Sequence, residues 1–194
     1  LVMGVLAALV EVARTGRGVV VDAAMVDGAA NLMSLVHGMR AQGLWPNPPG
    51  ENTLDGGAPF YDTYTCSDGR YVAVGALEPA FYAELLTKLG LDDRFLRDQN
   101  DTGTWPKRSA ELAALFATKP RADWCTLLDG SDACFAPVLT LQESFQHEHM
   151  QARETYIESN GHHHAAPAPR FSRTPGAITP ALPAEQLLQR WTQR

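Results

Sequence analysis

The sequence predicts an α/β fold in two parts: the end of a doubly wound domain, then a small α+β domain reached through a long crossing linker. Three observations carry this reading. The first 43 residues alternate helix, β-branched strand and helix, the signature of a layered α/β sheet. Composition then breaks abruptly into prolines and glycines. Beyond that break, two short alternating strands are followed by a run of helices. The predicted units are 1–43, a linker and loop at 44–61, the α+β domain at 62–147, and a return segment at 148–194.

The opening stretch LVMGVLAALVEVARTG reads as a buried helix, Leu1 to Thr15, apolar almost all round, with Gly4, Ala7 and Ala8 small enough for close packing. Gly16 supplies its stop. It fails as a secretory leader because no basic residue precedes the apolar run, and Glu11 and Arg14 interrupt it too early for a membrane span. It reads as the later part of a longer protein. Val19-Val20-Val21 then suits a strand covered on both faces. Asp22 can cap a helix from about Ala24 to Gln42, with Met25, Ala29, Leu32, Val36 and Met39 on one stripe.

From Gly43 to Pro59 the chain carries Pro46, Pro48, Pro49 and Pro59 with Gly43, Gly50, Gly56 and Gly57, too many breakers for a regular element. It reads as an ordered crossing. A hairpin follows, Phe60–Cys66 and Arg70–Gly75, turned at Ser67-Asp68-Gly69. Helical patterns occupy Pro79–Leu89, Trp105–Ala117 and Pro120–Leu128. Cys134–Val138 reads as a strand and Thr140–Phe145 as a short helix. Thr155–Glu158 reads as a strand, APAPRFSRTPG as extended chain, and Glu185–Trp191 as a terminal helix.

Composition narrows function by exclusion. With 45% hydrophobic and 20% charged residues the chain is ordinary globular protein rather than disordered. A net charge of −6 without a basic run leaves nucleic acid no electrostatic footprint. Cys66, Cys125 and Cys134 are odd in number and lack CxxC spacing, which reads as free thiols in a reducing cytoplasm. His162-His163-His164 is not spaced to share one ion, and no metal site is expected there. His37 reads as a packing residue, and His147 and His149 as exposed loop. No GxGxxG, GK[ST] or GxSxG motif occurs.

Glu78 is the leading catalytic candidate. It falls where a strand ends and a helix begins, between apolar Leu77 and the rigid ring of Pro79, so the sheet can hold its backbone while its carboxylate faces a cleft. The competing reading is a surface carboxylate favouring the first turn of that helix. The Leu54-Asp55-Gly56-Gly57-Ala58-Pro59 loop offers a close backbone approach to a ligand or to another chain, or is simply a turn. Tyr61 follows it and can present a hydroxyl.

The segments GVLAAL…TGRGVVVDAAMVDG, LDGGAPFYDTY, DGRYVAVGALEPAFY, SDACFAPVL and APAPRFSRT resemble the α-methylacyl-CoA racemase branch of the family III CoA-transferase (CaiB/BaiF) superfamily. The likeness runs in order through nearly the whole chain and is weakest at the linker tip, at 91–104 and beyond Pro175. It implies a Rossmann-like large domain, represented here by its last part, and a small domain, within an interlocked homodimer whose active site lies between subunits. It also implies an acyl-CoA thioester substrate, with coenzyme A part of that substrate and no other cofactor. Two bases, a His and an Asp, would exchange a proton at the α-carbon through an enolate. Glu78 matches the Glu that pairs with that His, and Leu54, Tyr61 and Leu77 match positions lining the acyl pocket. The same likeness places the His, the Asp and the CoA-phosphate site upstream of this chain, so the 194 residues alone are expected to be inactive. Two other readings remain open: a CoA-transferase of the same superfamily, which typically carries a run of glycines where this chain has GALEP, and a non-catalytic dimerisation or binding remnant.

Overall fold

The computed structural model describes residues 1–46, 48–159, 161–178 and 182–192. These residues pack as two units, Leu1–Pro137 and Val138–Arg194. The first opens with three helices, α1 (Val2–Thr15), α2 (Met25–Leu32) and α3 (Ser34–Ala41). It continues with β1 (Tyr61–Thr65), β2 (Tyr71–Gly75), α4 (Pro79–Leu89), α5 (Arg94–Arg97), α6 (Trp105–Phe116), α7 (Arg121–Leu128) and β3 (Phe135–Val138). The second holds α8 (Leu141–Gln146), α9 (Glu148–Ala152), β4 (Tyr156–Ser159), β5 (His162–Ala165) and α10 (Ala184–Thr192). No helix of the described residues is long and apolar enough to cross a membrane.

Four expectations for the opening segment are corrected: α1, read as a buried helix, buries no residue, and the N-cap of α2 is Ala24 with no side-chain cap from Asp22. Val19–Val21 forms no strand, and Val20 is 92% exposed. A β-branched run has the propensity for a strand but needs a neighbour to accept its ladder hydrogen bonds, and none of the described residues provides one. Instead Val21 folds back on α1: a Cβ added to Gly4 would stand 3.0 Å from the Val21 Cγ1. The single helix expected from Ala24 to Gln42 is divided at Met33, and none of α1, α2 or α3 buries a residue. Helix propensity and the apolar stripe survive here without a core to enter.

The core begins at Ala58. β1 and β2 pair antiparallel with Tyr61 opposite Gly75 and Thr65 opposite Tyr71, and β3 adds to the β2 edge. The turn closes through Cys66 N–H to Arg70 O (2.7 Å) and Gly69 N–H to Cys66 O (3.0 Å). Period-two alternation sends Tyr64, Val72 and Val74 inward, while Tyr61, Thr63 and Ala73 face outward. Aromatic side chains from α4, α6 and α7 cover the inner face. Phe60 meets Tyr82 at 5.3 Å and Trp105 edge-on at 5.8 Å. Tyr64 stacks on Phe116 at 5.1 Å, and Phe116 meets Trp124 at 5.0 Å. Buried polar ends are satisfied locally: the Tyr64 hydroxyl donates to Pro59 O (2.6 Å) and the Trp124 indole to Phe116 O (2.9 Å).

In the second unit Thr140 caps α8 through a reciprocal pair with Glu143, as an N-terminal threonine three residues before a glutamate allows. β4 and β5 pair antiparallel, with Glu158 opposite His163. The strand at β5 was not expected from the sequence, because a histidine tract has no strong strand preference; its pairing with β4 imposes the extended form.

Candidate functional site

The loop before β1 is organised around Asn52, which is 3% exposed. Its backbone N–H donates to the Asp55 carboxylate at 2.7 Å, and its side-chain amide donates to the other Asp55 oxygen at 2.8 Å and to Pro48 O at 2.9 Å. Partial burial of the Asp55 carboxyl pushes its pKa up. Hydrogen bonds from the Asn52 side chain and from the Asn52, Gly50 and Asp55 backbone together outweigh this and hold it below the ordinary value. Both carboxylate oxygens are therefore used inside the loop. The two glycines have separate reasons. Gly56 has φ +99°, which side chains rarely adopt, whereas a Cβ on Gly57 would lie 2.4 Å from the Glu51 carbonyl carbon. The close approach at Gly57 is to its own chain.

A groove of about 420 Å³ lies on the outward face of the three-stranded sheet. Leu54, Tyr61, Ala73, Gly75, Cys134 and Ala136 contribute to its walls and floor. Leu54 and Tyr61 are each little more than one-third exposed, at 37% and 38%. The Tyr61 ring leans over Gly75, whose missing side chain keeps the floor low. A second cleft of about 490 Å³ lies against Gly56 and Gly57 and takes its other surfaces from Asp62, Trp105 and Ser109. Gly56 thus borders both spaces, and Gly57 only the second.

β2 delivers the chain from the groove floor to Glu78. Gly75 N–H donates to Cys134 O (2.8 Å), Ala76 N–H to Phe60 O (3.0 Å) and Leu77 N–H to Gly75 O (2.9 Å). Leu77 packs against the core, whereas Glu78 is exposed. Glu78 is the N-cap residue of α4, with φ −75° and ψ 138°, yet its side chain makes no capping hydrogen bond. Pro79 occupies the first turn, where its missing N–H is no loss. Glu78 is not itself a lining residue of the groove. Its field reaches Cys134, which is: burial, then the negative charges of Glu78, Asp132 and Glu84, push the Cys134 thiol pKa up.

The structure thus brings Leu54, Gly56 and Tyr61 to one groove and leaves Glu78 outside its lining, with its charge reaching Cys134. Asp55 stays within its loop, Leu77 against the core and Gly57 at the second cleft. No group of three or more His, Cys, Asp or Glu among the described residues could hold a metal ion. His163 stacks on Phe145 at 4.1 Å with rings within 2° of parallel. Asn52 and Gln99, both buried and polar, are not among the residues the sequence singles out. Asn52 three residues before Asp55 is a turn signal that could have been read. Gln99 had no signal, because its partner is 22 residues away in the chain.

The family model described as CoA-transferase family III matches residues 1–186. Alpha-methylacyl-CoA racemase of Mus musculus is 46% identical over 175 residues, and that of Homo sapiens 44% identical over 174. Each match covers 89% of this chain and 46% of the racemase, so the chain spans about half the length of these relatives. Among solved structures, a CAIB/BAIF family protein from Brucella suis superposes with TM-score 0.68 at 23% identity, covering 100% of this chain and 53% of the other. A hypothetical protein from Mycobacterium tuberculosis superposes with TM-score 0.70 at 20% identity, covering 91% and 48%. At these identities the structures establish a shared fold.

Proposed function

This chain belongs to CoA-transferase family III, and on that premise we propose that it is the Glu78-bearing part of an isomerase that inverts the α-carbon of 2-methylacyl-CoA thioesters. The observation that carries the reading is Glu78 itself. It stands on a fixed strand-to-helix elbow, unused as a cap, with its charge felt by Cys134 in the lining of a mainly apolar groove. Identity of 44–46% to racemases supports the same reaction class.

In the proposed chemistry a base on one face removes the α-proton. The C–H electron pair moves into the thioester as an enolate, and an acid on the opposite face returns a proton to carbon. The thioester carbonyl supplies the electron sink, and coenzyme A is part of the substrate. Glu78 orients an imidazole base from outside this chain and stabilises its protonated form, as a carboxylate does for a hydrolase histidine. Leu54 and Tyr61 flank the acyl chain in the groove, with Leu77 backing the elbow. The full protein works as an interlocked homodimer, with 1–43 and 148–194 belonging to its large domain, 44–61 crossing, and 62–147 forming the small one.

The test is deuterium incorporation at the α-carbon of a 2-methylacyl-CoA by the full-length protein, with Glu78→Gln beside it. Exchange that falls about a hundredfold on one face of the α-carbon, and clearly less on the other, supports the reading. Transfer of CoA between two different acids, without exchange, would replace it with the transferase.

A further inference from the structure

We infer that Gln99 is the positioning residue for Glu78. The inference rests on the reading of Glu78 as the carboxylate that orients a base. Gln99 is 5% exposed, and its side-chain amide donates to Leu77 O at 2.9 Å. Leu77 N–H is already bound to Gly75 O at 2.9 Å, so the peptide groups leading into Glu78 are fixed from both sides. Beyond Glu78, Pro79 locks φ, and Tyr82 N–H holds Glu78 O at 3.0 Å. Without Gln99 the Leu77 carbonyl would lose its side-chain donor at the point where the chain leaves the sheet.

Gln99 is itself anchored on α6. Its carbonyl accepts the Trp105 indole N–H at 2.8 Å, and that indole packs edge-on against Phe60. Neighbouring Asp98 pairs with Arg108, which also pairs with Glu111 at 2.9 Å and lies 4.7 Å over the Phe95 ring. The clamp thus transmits the rigidity of α6 to the Glu78 elbow. An error of about 1 Å in a reacting group can cost about a hundredfold in rate, which gives such a clamp leverage on chemistry rather than on binding.

The experiment uses the full-length protein and measures α-proton exchange separately from the (2R) and (2S) 2-methylacyl-CoA. Glu78→Gln identifies the face that depends on the Glu78-paired base. Gln99→Met, similar in size but without the donor, should slow exchange on that same face by about tenfold, with KM within about twofold. Gln99→Glu supplies a second readout that survives if the methionine variant does not fold. Its ionised carboxylate has no donor for Leu77 O, and protonation restores one, so its rate relative to the parent at each pH should recover as pH falls. Equal slowing on both faces by Gln99→Met, or a pH-independent ratio for Gln99→Glu, overturns the proposal while leaving Glu78 intact. Face-blind loss in Glu78→Gln overturns the reading of Glu78 and the proposal with it.

Discussion

The Tyr61 ring lies across the floor position of Gly75: a Cβ built on that glycine would sit 3.8 Å from the Tyr61 Cδ2 and Cε2 atoms and 3.9 Å from Cys134 O. These are ordinary van der Waals separations, so one methyl fits and a longer side chain must rise into the groove. The pair sets the depth of the space on the outer face of the sheet.

Gly75→Ala is therefore expected to fold normally, with a melting temperature within about 2 °C of the parent. Gly75→Leu should leave the core intact and fill the groove. In the full-length protein it should raise KM for an acyl-CoA about tenfold or more, with a smaller change in kcat. Unchanged KM would place the acyl chain elsewhere.

The opposite holds at Gly57. A methyl there would lie 2.4–2.8 Å from backbone atoms of Glu51 and Asn52, which cannot turn aside as a side chain can. Gly57→Ala should destabilise the loop by about 1–3 kcal/mol, measured by urea unfolding. A neutral substitution would show that the loop opens at little cost.

Asp55 gives the loop a pH dependence of known sign. Its folded pKa is held below the unfolded value, so its contribution is complete above about pH 4 and is lost as pH falls through the folded pKa. Asp55→Asn should lower stability at pH 7 by about 1–3 kcal/mol, because one Asn52 donor loses its acceptor. It should also flatten the stability curve below pH 4. An unchanged acid limb would mean that other carboxylates set it.

Cys134 reports on Glu78 independently of any substrate. The thiol is exposed, and Glu78 is among the charges that raise its pKa, whereas Cys66 is buried. Alkylation of the folded protein should label Cys134 before Cys66, faster with rising pH. Glu78→Gln removes a negative neighbour, lowers the thiol pKa and should speed labelling at pH 8. An unchanged rate would show that the carboxylate is turned away from Cys134.

Local chemistry made much of the fold between β1 and α7 legible. The alternation in Tyr61–Thr65 and Tyr71–Gly75, the Ser67-Asp68-Gly69 turn, and the prolines at the starts of α4, α6 and α7 each act within a few residues, and the elements formed where those signals stand. The short α5 was not legible, because its single turn is held by Phe95 in the core rather than by a pattern of its own. Val19–Val21 shows the converse: strand propensity was present, but no described strand lies beside it.

The family, the hairpin and the placing of Glu78 between a strand and a helix are all written in local order along the chain, because they depend on residues that are neighbours in it. That Asp55 is held by Asn52, that Leu77 faces the core and that Gln99 grips the Leu77 carbonyl emerge from folding in three dimensions. Those outcomes depend on which groups meet after the chain has folded back, and a hydrogen bond across 22 residues leaves no periodicity for a reader of the sequence to find.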